Sequence, residues 1–143
     1  ISVVGLEKVK NKFRLISENI EKEEAQKYFK TLKIKAPSAT QRVSFLSGGN
    51  QQKVVIAKWL FSGADILIFD EPTRGIDVGA KYEIYMVMNE LAAQGKAIIM
   101  ISSDMNEVVA MSDRVIVMHD GEIRGELEGA EINPEAVLKY AIE

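Results

Sequence analysis

Leu46-Ser47-Gly48-Gly49-Asn50-Gln51-Gln52 is the stretch on which the reading of this chain turns. A serine and two glycines precede a helical run from Gln51 to Ser62. Ser47 suits an N-cap, because its side-chain oxygen can take an orphan amide of the first turn. Gly48 and Gly49 lack a Cβ, so a ligand can come close to the backbone. A row of free N–H groups at the positive end of a helix suits phosphate. The same residues also make an ordinary glycine turn and a capped helix. What separates the two readings is the stretch Ile66-Leu67-Ile68-Phe69-Asp70-Glu71-Pro72-Thr73.

Ile66 to Phe69 is a continuous apolar run that ends in an aromatic, which predicts a strand buried on both faces, as in a parallel sheet. Pro72 stops it. Asp70 and Glu71 then stand at the carboxyl end of a strand, where open α/β sheets bind ligands. Two adjacent carboxylates there cost desolvation unless a cation or polar partner offsets it. Mg²⁺ with phosphate suits them: one carboxylate would hold the hydrated metal and the other would polarise an attacking water. The plain alternative is a polar loop that happens to begin with Asp-Glu. Joined to the Ser-Gly-Gly turn, the phosphate reading is the stronger.

Working outward, Glu18 to Leu32 predicts an amphipathic helix with Ala25, Tyr28, Phe29 and Leu32 at helical spacing. Its charged residues Glu21, Lys22, Glu23, Glu24, Lys27 and Lys30 make a solvated face. Residues 1–15 read only as helix or irregular chain. The helix after the glycines carries Val55, Ile56, Trp59 and Leu60 on one side, with Trp59 in a core or subdomain contact. Gly63 is its left-handed C-terminal cap.

Asp77 can cap a helix from Val78 to Gln94, with Tyr82, Tyr85, Met88 and Leu91 as its core stripe. Ala97 to Ile101 and Arg114 to Met118 read as further strands. Asp104 and Glu107 have capping-box spacing for a helix from Met105 to Met111. Asp120-Gly121 is a hairpin turn leading to a return strand from Glu122 to Leu127. Asn133-Pro134 opens a last helix to about Ile142. Strand–helix alternation from Asp65 onward predicts an α/β sheet.

Composition narrows the function classes. The 143 residues are enough for one domain with a real core. A net charge of −3 gives no broad basic field, so nucleic acid is not an expected partner. The absence of cysteine excludes disulfides and thiolate metal sites and fits a reducing compartment. No apolar run reaches the roughly 18 residues of a membrane-spanning helix, and no signal peptide is visible. The chain starts with Ile rather than Met, which predicts processing or a piece of something longer.

Together these motifs resemble the ATP-binding cassette (ABC) ATPases over roughly residues 40 to 125. Leu46 to Gln52 resembles their signature motif, and Ile66 to Glu71 their Walker B strand with its catalytic glutamate. Arg74-Gly75-Ile76-Asp77 resembles the D-loop, and Ile101-Ser102-Ser103-Asp104 falls at the switch-histidine loop. The segment from Met111 to Gly121 resembles the one that follows that loop. Glu71 to Lys81 is most similar to the second cassette of fused importers of the ribose, galactose and xylose type.

Two departures qualify the resemblance. No Gly-x-x-x-x-Gly-Lys-Ser/Thr occurs; the one Gly-Lys pair, Gly95-Lys96, is followed by Ala97. Without that loop nothing cradles the β- and γ-phosphates. The resemblance therefore implies the C-terminal portion of a cassette, with a partial P-loop NTPase-like (RecA-like), mostly parallel sheet that lacks its phosphate-loop strand. It implies a helical-subdomain part at residues 1–63, half a nucleotide-binding core at 64–128 and a terminal helix at 129–143. The strands at 97–101 and 114–118 would be left with unpaired edges, which invites self-association. The second departure is Ser103 at the switch-histidine position, where a hydroxyl does not titrate near neutrality. The one histidine, His119, reads as a surface residue of the hairpin.

In the family, cassettes pair head to tail. The resemblance then implies that Asp70 and Glu71 serve this cassette's own ATP and Mg²⁺. Ser47, Gly48, Gly49 and Gln51 would clasp the partner cassette's nucleotide, with Asp77 at the pair interface. Ser103 implies a weak own site. The implied partners are a second cassette and membrane permease subunits. The implied place is the cytoplasmic face of the membrane, held there through the permease, and the implied function is ATP hydrolysis that powers sugar import. The rival readings are a binding or dimerisation module without chemistry, an ABC ATPase of DNA repair or translation, and a metal hydrolase built on Asp70 and Glu71.

Overall fold

The computed structural model describes residues 1–11 and 14–142. Lys12 and Phe13 of the 1–15 segment, and Glu143 at the end of the 129–143 segment, lie outside the described residues. The chain divides into two compact units, residues 1–100 and 101–143.

In the first unit, α1 (Glu18–Thr31) and α2 (Gly48–Ser62) are followed by β1 (Ile66–Asp70), α3 (Val78–Ala93) and β2 (Ala97–Ile101). β1 and β2 are neighbours in a two-stranded parallel sheet with α3 as the crossover. Phe61 near the end of α2 is 1% exposed and meets Tyr28 of α1 edge-on, with ring centroids 6.1 Å apart. The Lys8 ammonium donates to the Phe61 carbonyl at 2.6 Å, which satisfies one of the last carbonyls of α2. Gly63 ends that helix at φ 89°, the left-handed conformation expected of it.

The buried stripes differ from those read in the sequence. On α2 the buried residues are Gly49, Lys53, Ile56, Ala57 and Phe61, while Val55 and Trp59 are exposed. On α3 they are Ile84, Val87, Met88 and Leu91, and Tyr82 is exposed. On α2 the true stripe is rotated from the expected one because a glycine, a lysine and an alanine occupy close-packed positions that hydrophobicity does not mark, whereas on α3 Met88 and Leu91 are buried as expected and Ile84 and Val87 join them. β1 is covered on one face only: Leu67 and Phe69 are buried, whereas Ile66 and Ile68 are 63% and 66% exposed.

In the second unit, α4 (Met105–Met111) precedes the antiparallel hairpin β3 (Arg114–His119) and β4 (Glu122–Glu128), followed by α5 (Pro134–Ile142). Asp120 and Gly121 both have positive φ, 50° and 79°, as a two-residue turn that matches strand twist requires. Val115, Val117, Leu127 and Val137 form the buried cluster. Tyr140 of α5 lies over Gly125, so close that an added Cβ would run into the ring. Asn133 caps α5, its Oδ1 accepting from the Ala136 amide at 2.9 Å.

The chain is α/β, as expected, but the sheet is not continuous. Among the described residues, β1–β2 and β3–β4 form two separate sheets, so β2 and β3 do not pair. The parallel part is limited to β1–β2.

Candidate functional site

The glycine turn builds the first piece of the site. Ser47 takes the N-cap position with extended backbone, and the helix already begins at Gly48 rather than at Gln51. The expected cap bond is absent: the Ser47 side chain accepts no backbone amide of the first turn. Its oxygen accepts instead from the Asn50 side-chain amide at 2.8 Å. The Gln51 amide side chain donates to the Leu46 carbonyl at 2.8 Å and holds the residue before the cap.

The missing Cβ atoms of the two glycines serve the chain itself. A Cβ on Gly48 would lie 3.0 Å from Ile76 Cγ2, and one on Gly49 would lie 2.7 Å from Ala80 Cβ. Ser47 and Gly48 remain exposed, and Gly49 is buried. The turn is thus packed on the start of α3, where Asp77 is the N-cap and its Oδ1 accepts from the Ala80 amide at 2.9 Å. The start of α2 and the start of α3 form one surface.

Asp70 ends β1 with its side chain exposed. Glu71 follows at φ 46°, a left-handed conformation that costs a non-glycine residue energy. Pro72 and Thr73, both almost fully buried, anchor the turn that imposes it. The Arg74 amide donates to the Glu71 carbonyl at 3.2 Å. No group of three or more His, Asp or Glu able to hold a metal occurs among the described residues. Asp70 fits Mg²⁺ only in the way that ion is held beside phosphates, through one or two carboxylates with oxygens from nucleotide and water completing the shell.

Ser103 lies in the second unit, exposed, on the loop between β2 and α4. Ser102 and Glu107 shape that loop: the Ser102 hydroxyl donates to the buried Glu107 carboxylate and accepts from the Asp104 amide at 3.1 Å. Asp104 caps α4 through the Asn106 amide. His119 stands at the end of β3, its Nε2 3.5 Å from the Asp120 carboxylate, in the hairpin position expected of it.

The family model described as ABC transporter matches residues 1–74. The chain belongs to the ABC transporter family. The ribose import ATP-binding protein RbsA of Clostridium tetani is 54% identical to it over 142 residues, 99% of this chain and 28% of that protein. The xylose import ATP-binding protein XylG of Thermoanaerobacter pseudethanolicus is 56% identical over 131 residues, 92% of this chain and 26% of that protein. The chain therefore spans little more than a quarter of the length of these relatives. Among solved structures, a dimeric ATP-binding cassette in a post-hydrolysis state, bound to ADP and Pi, shares 26% identity at a TM-score of 0.68. That match covers 80% of this chain and 49% of the cassette.

Within this ABC chain, hydrophobic periodicity missed a charged link behind the turn. Lys53 of α2 is 2% exposed. Its ammonium donates to the Glu83 carboxylate of α3 at 2.9 Å and to the Lys33 carbonyl at 3.4 Å. Lys35 reaches the other Glu83 oxygen at 3.3 Å. Hydrogen bonds from Lys53 and Lys35 hold the Glu83 carboxyl below its usual range. The signal was the spacing of Lys53 with Gly49, Ile56 and Ala57, which places a lysine on the packed face.

Proposed function

We propose that this chain is part of the ATP-binding and hydrolysing subunit that powers sugar import by an ABC transporter, its signature turn completing the ATP site of a partner cassette. The observation that carries the reading is the packing of Gly48 and Gly49 on Ile76 and Ala80. It sets the start of α2, which Ser47 precedes, against the start of α3, which Asp77 caps, and this supports reading the two as a phosphate clasp at a cassette interface. The import relatives supply the transport context.

Residues 1–63 would belong to the helical subdomain, 64–128 to the nucleotide-binding core and 129–143 to a terminal helix. Ser47, Gly48, Gly49 and Gln51 would serve the partner's nucleotide. Asp70 would hold hydrated Mg²⁺ on this cassette's own ATP, Glu71 would orient water there, and Ser103 would replace the imidazole that usually meets the γ-phosphate. Mg²⁺, when bound, supplies charge neutralisation at the phosphates. No helix among the described residues is long and apolar enough to cross a membrane, and the permease subunits would hold the ATPase at the cytoplasmic face.

A serine at the Ser103 position makes the own site the weaker of the two. In the full-length protein, Ser47→Arg is therefore expected to lower the ATPase rate more than Glu71→Gln. A larger loss from Glu71→Gln would reverse this division of labour between the two sites.

A further inference from the structure

The hydrogen bonds around Asn50 fix the direction of the Ser47 hydroxyl. The Lys35 backbone amide can only donate. The Asn50 atom 2.7 Å from it is therefore the carbonyl oxygen Oδ1. That choice leaves Nδ2, which can only donate, 2.8 Å from Ser47 Oγ. The Ser47 oxygen must accept. A hydroxyl has one proton and two lone pairs, so the Ser47 proton stays available, and among the described residues no acceptor takes it. Lys35 is itself tied to α3 through Glu83, so the Asn50 clamp rests on a fixed support.

We infer that Asn50 is a positioning residue that holds Ser47 as an outward hydrogen-bond donor, ready for a phosphate oxygen of the partner's nucleotide. This rests on the reading of Ser47 given above. A free serine at this position could instead turn its proton inward and present a lone pair, which repels phosphate. Asn50 removes that orientation before the nucleotide arrives and so lowers the cost of ordering the contact.

The test is a double-mutant cycle on ATP hydrolysis by the full-length protein. Asn50→Ala is expected to lower kcat/KM about tenfold when Ser47 is present, the worth of one hydrogen bond to a charged group. In the Ser47→Ala background the same change is expected to cost less than roughly twofold, because nothing remains to orient. If Asn50→Ala shifts the denaturation midpoint, Asn50→Asp takes its place, since a carboxylate still accepts from Lys35 but cannot donate to Ser47. Equal losses in both backgrounds would show that Asn50 acts through the fold alone and would overturn the inference. Ser47→Ala at the wild-type rate would remove the reading of Ser47 itself, and the role of Asn50 with it.

Discussion

Gly49 of α2 and Ala80 of α3 are in such close contact that a Cβ added to the glycine would stand 2.7 Å from the alanine methyl. Two helix starts meet there with only the alanine methyl between them. Gly49→Ala overpacks this contact, at about 1–3 kcal/mol. The gain in helix propensity offsets at most about 1 kcal/mol of that. A lower denaturant midpoint is expected for Gly49→Ala, with recovery in the Gly49→Ala/Ala80→Gly double variant. An unchanged midpoint in the single variant would mean that α2 and α3 are free to move apart.

The Lys53–Glu83 pair predicts an asymmetry between its two partners. Lys53→Met removes a buried charge and keeps the volume, so it is expected to be close to neutral. Glu83→Ala leaves a buried ammonium without its carboxylate, at about 2 kcal/mol once the half-exposed position of Glu83 is allowed for. Equal costs in chemical denaturation would refute the asymmetry.

The same pair sets part of the acid response. The Glu83 carboxyl is held below its ordinary value of 4.5 by hydrogen bonds from Lys53 and Lys35. Its contribution to stability is full above that ordinary value and is lost as pH falls through the lowered one. The slope of stability against pH below the ordinary value is therefore expected to flatten in Glu83→Gln. A slope identical to the parent would place the acid sensitivity elsewhere.

Mg-ATP titrated calorimetrically into the isolated 143-residue chain is expected to give no binding heat, because the sequence holds no phosphate loop. Saturable binding would mean that phosphate is held without such a loop. The start of α2 would then be the site to mutate.

Ile66 and Ile68 on β1 and Ile99 on β2 are each more than half exposed, on a sheet of only two strands. Exposed apolar strands with free edges seek partners. Concentration-dependent association of the isolated chain is expected in sedimentation velocity, reduced by Ile68→Lys. A monomer at every concentration would remove this expectation.

Motifs were legible in the sequence wherever local chemistry suffices. Asp77, Asp104 and Asn133 cap helices, and Asp120-Gly121 makes a hairpin, because each depends on bonds between near neighbours in the chain. The order of strands and helices, and the carboxylates after β1, could be read for the same reason. The sequence could not tell which side of each helix is buried. Lys53 lies inside and Trp59 outside because α2 is turned so that Gly49 meets Ala80, a contact between residues thirty-one apart in the numbering that no periodicity encodes. Nor could it reveal that the Ser47 hydroxyl is held by Asn50, whose own orientation is set by the amide of Lys35 in another segment. Local hydrogen bonding is written in short stretches of residues. The facing of a helix and the direction of a hydroxyl are decided only when distant segments pack.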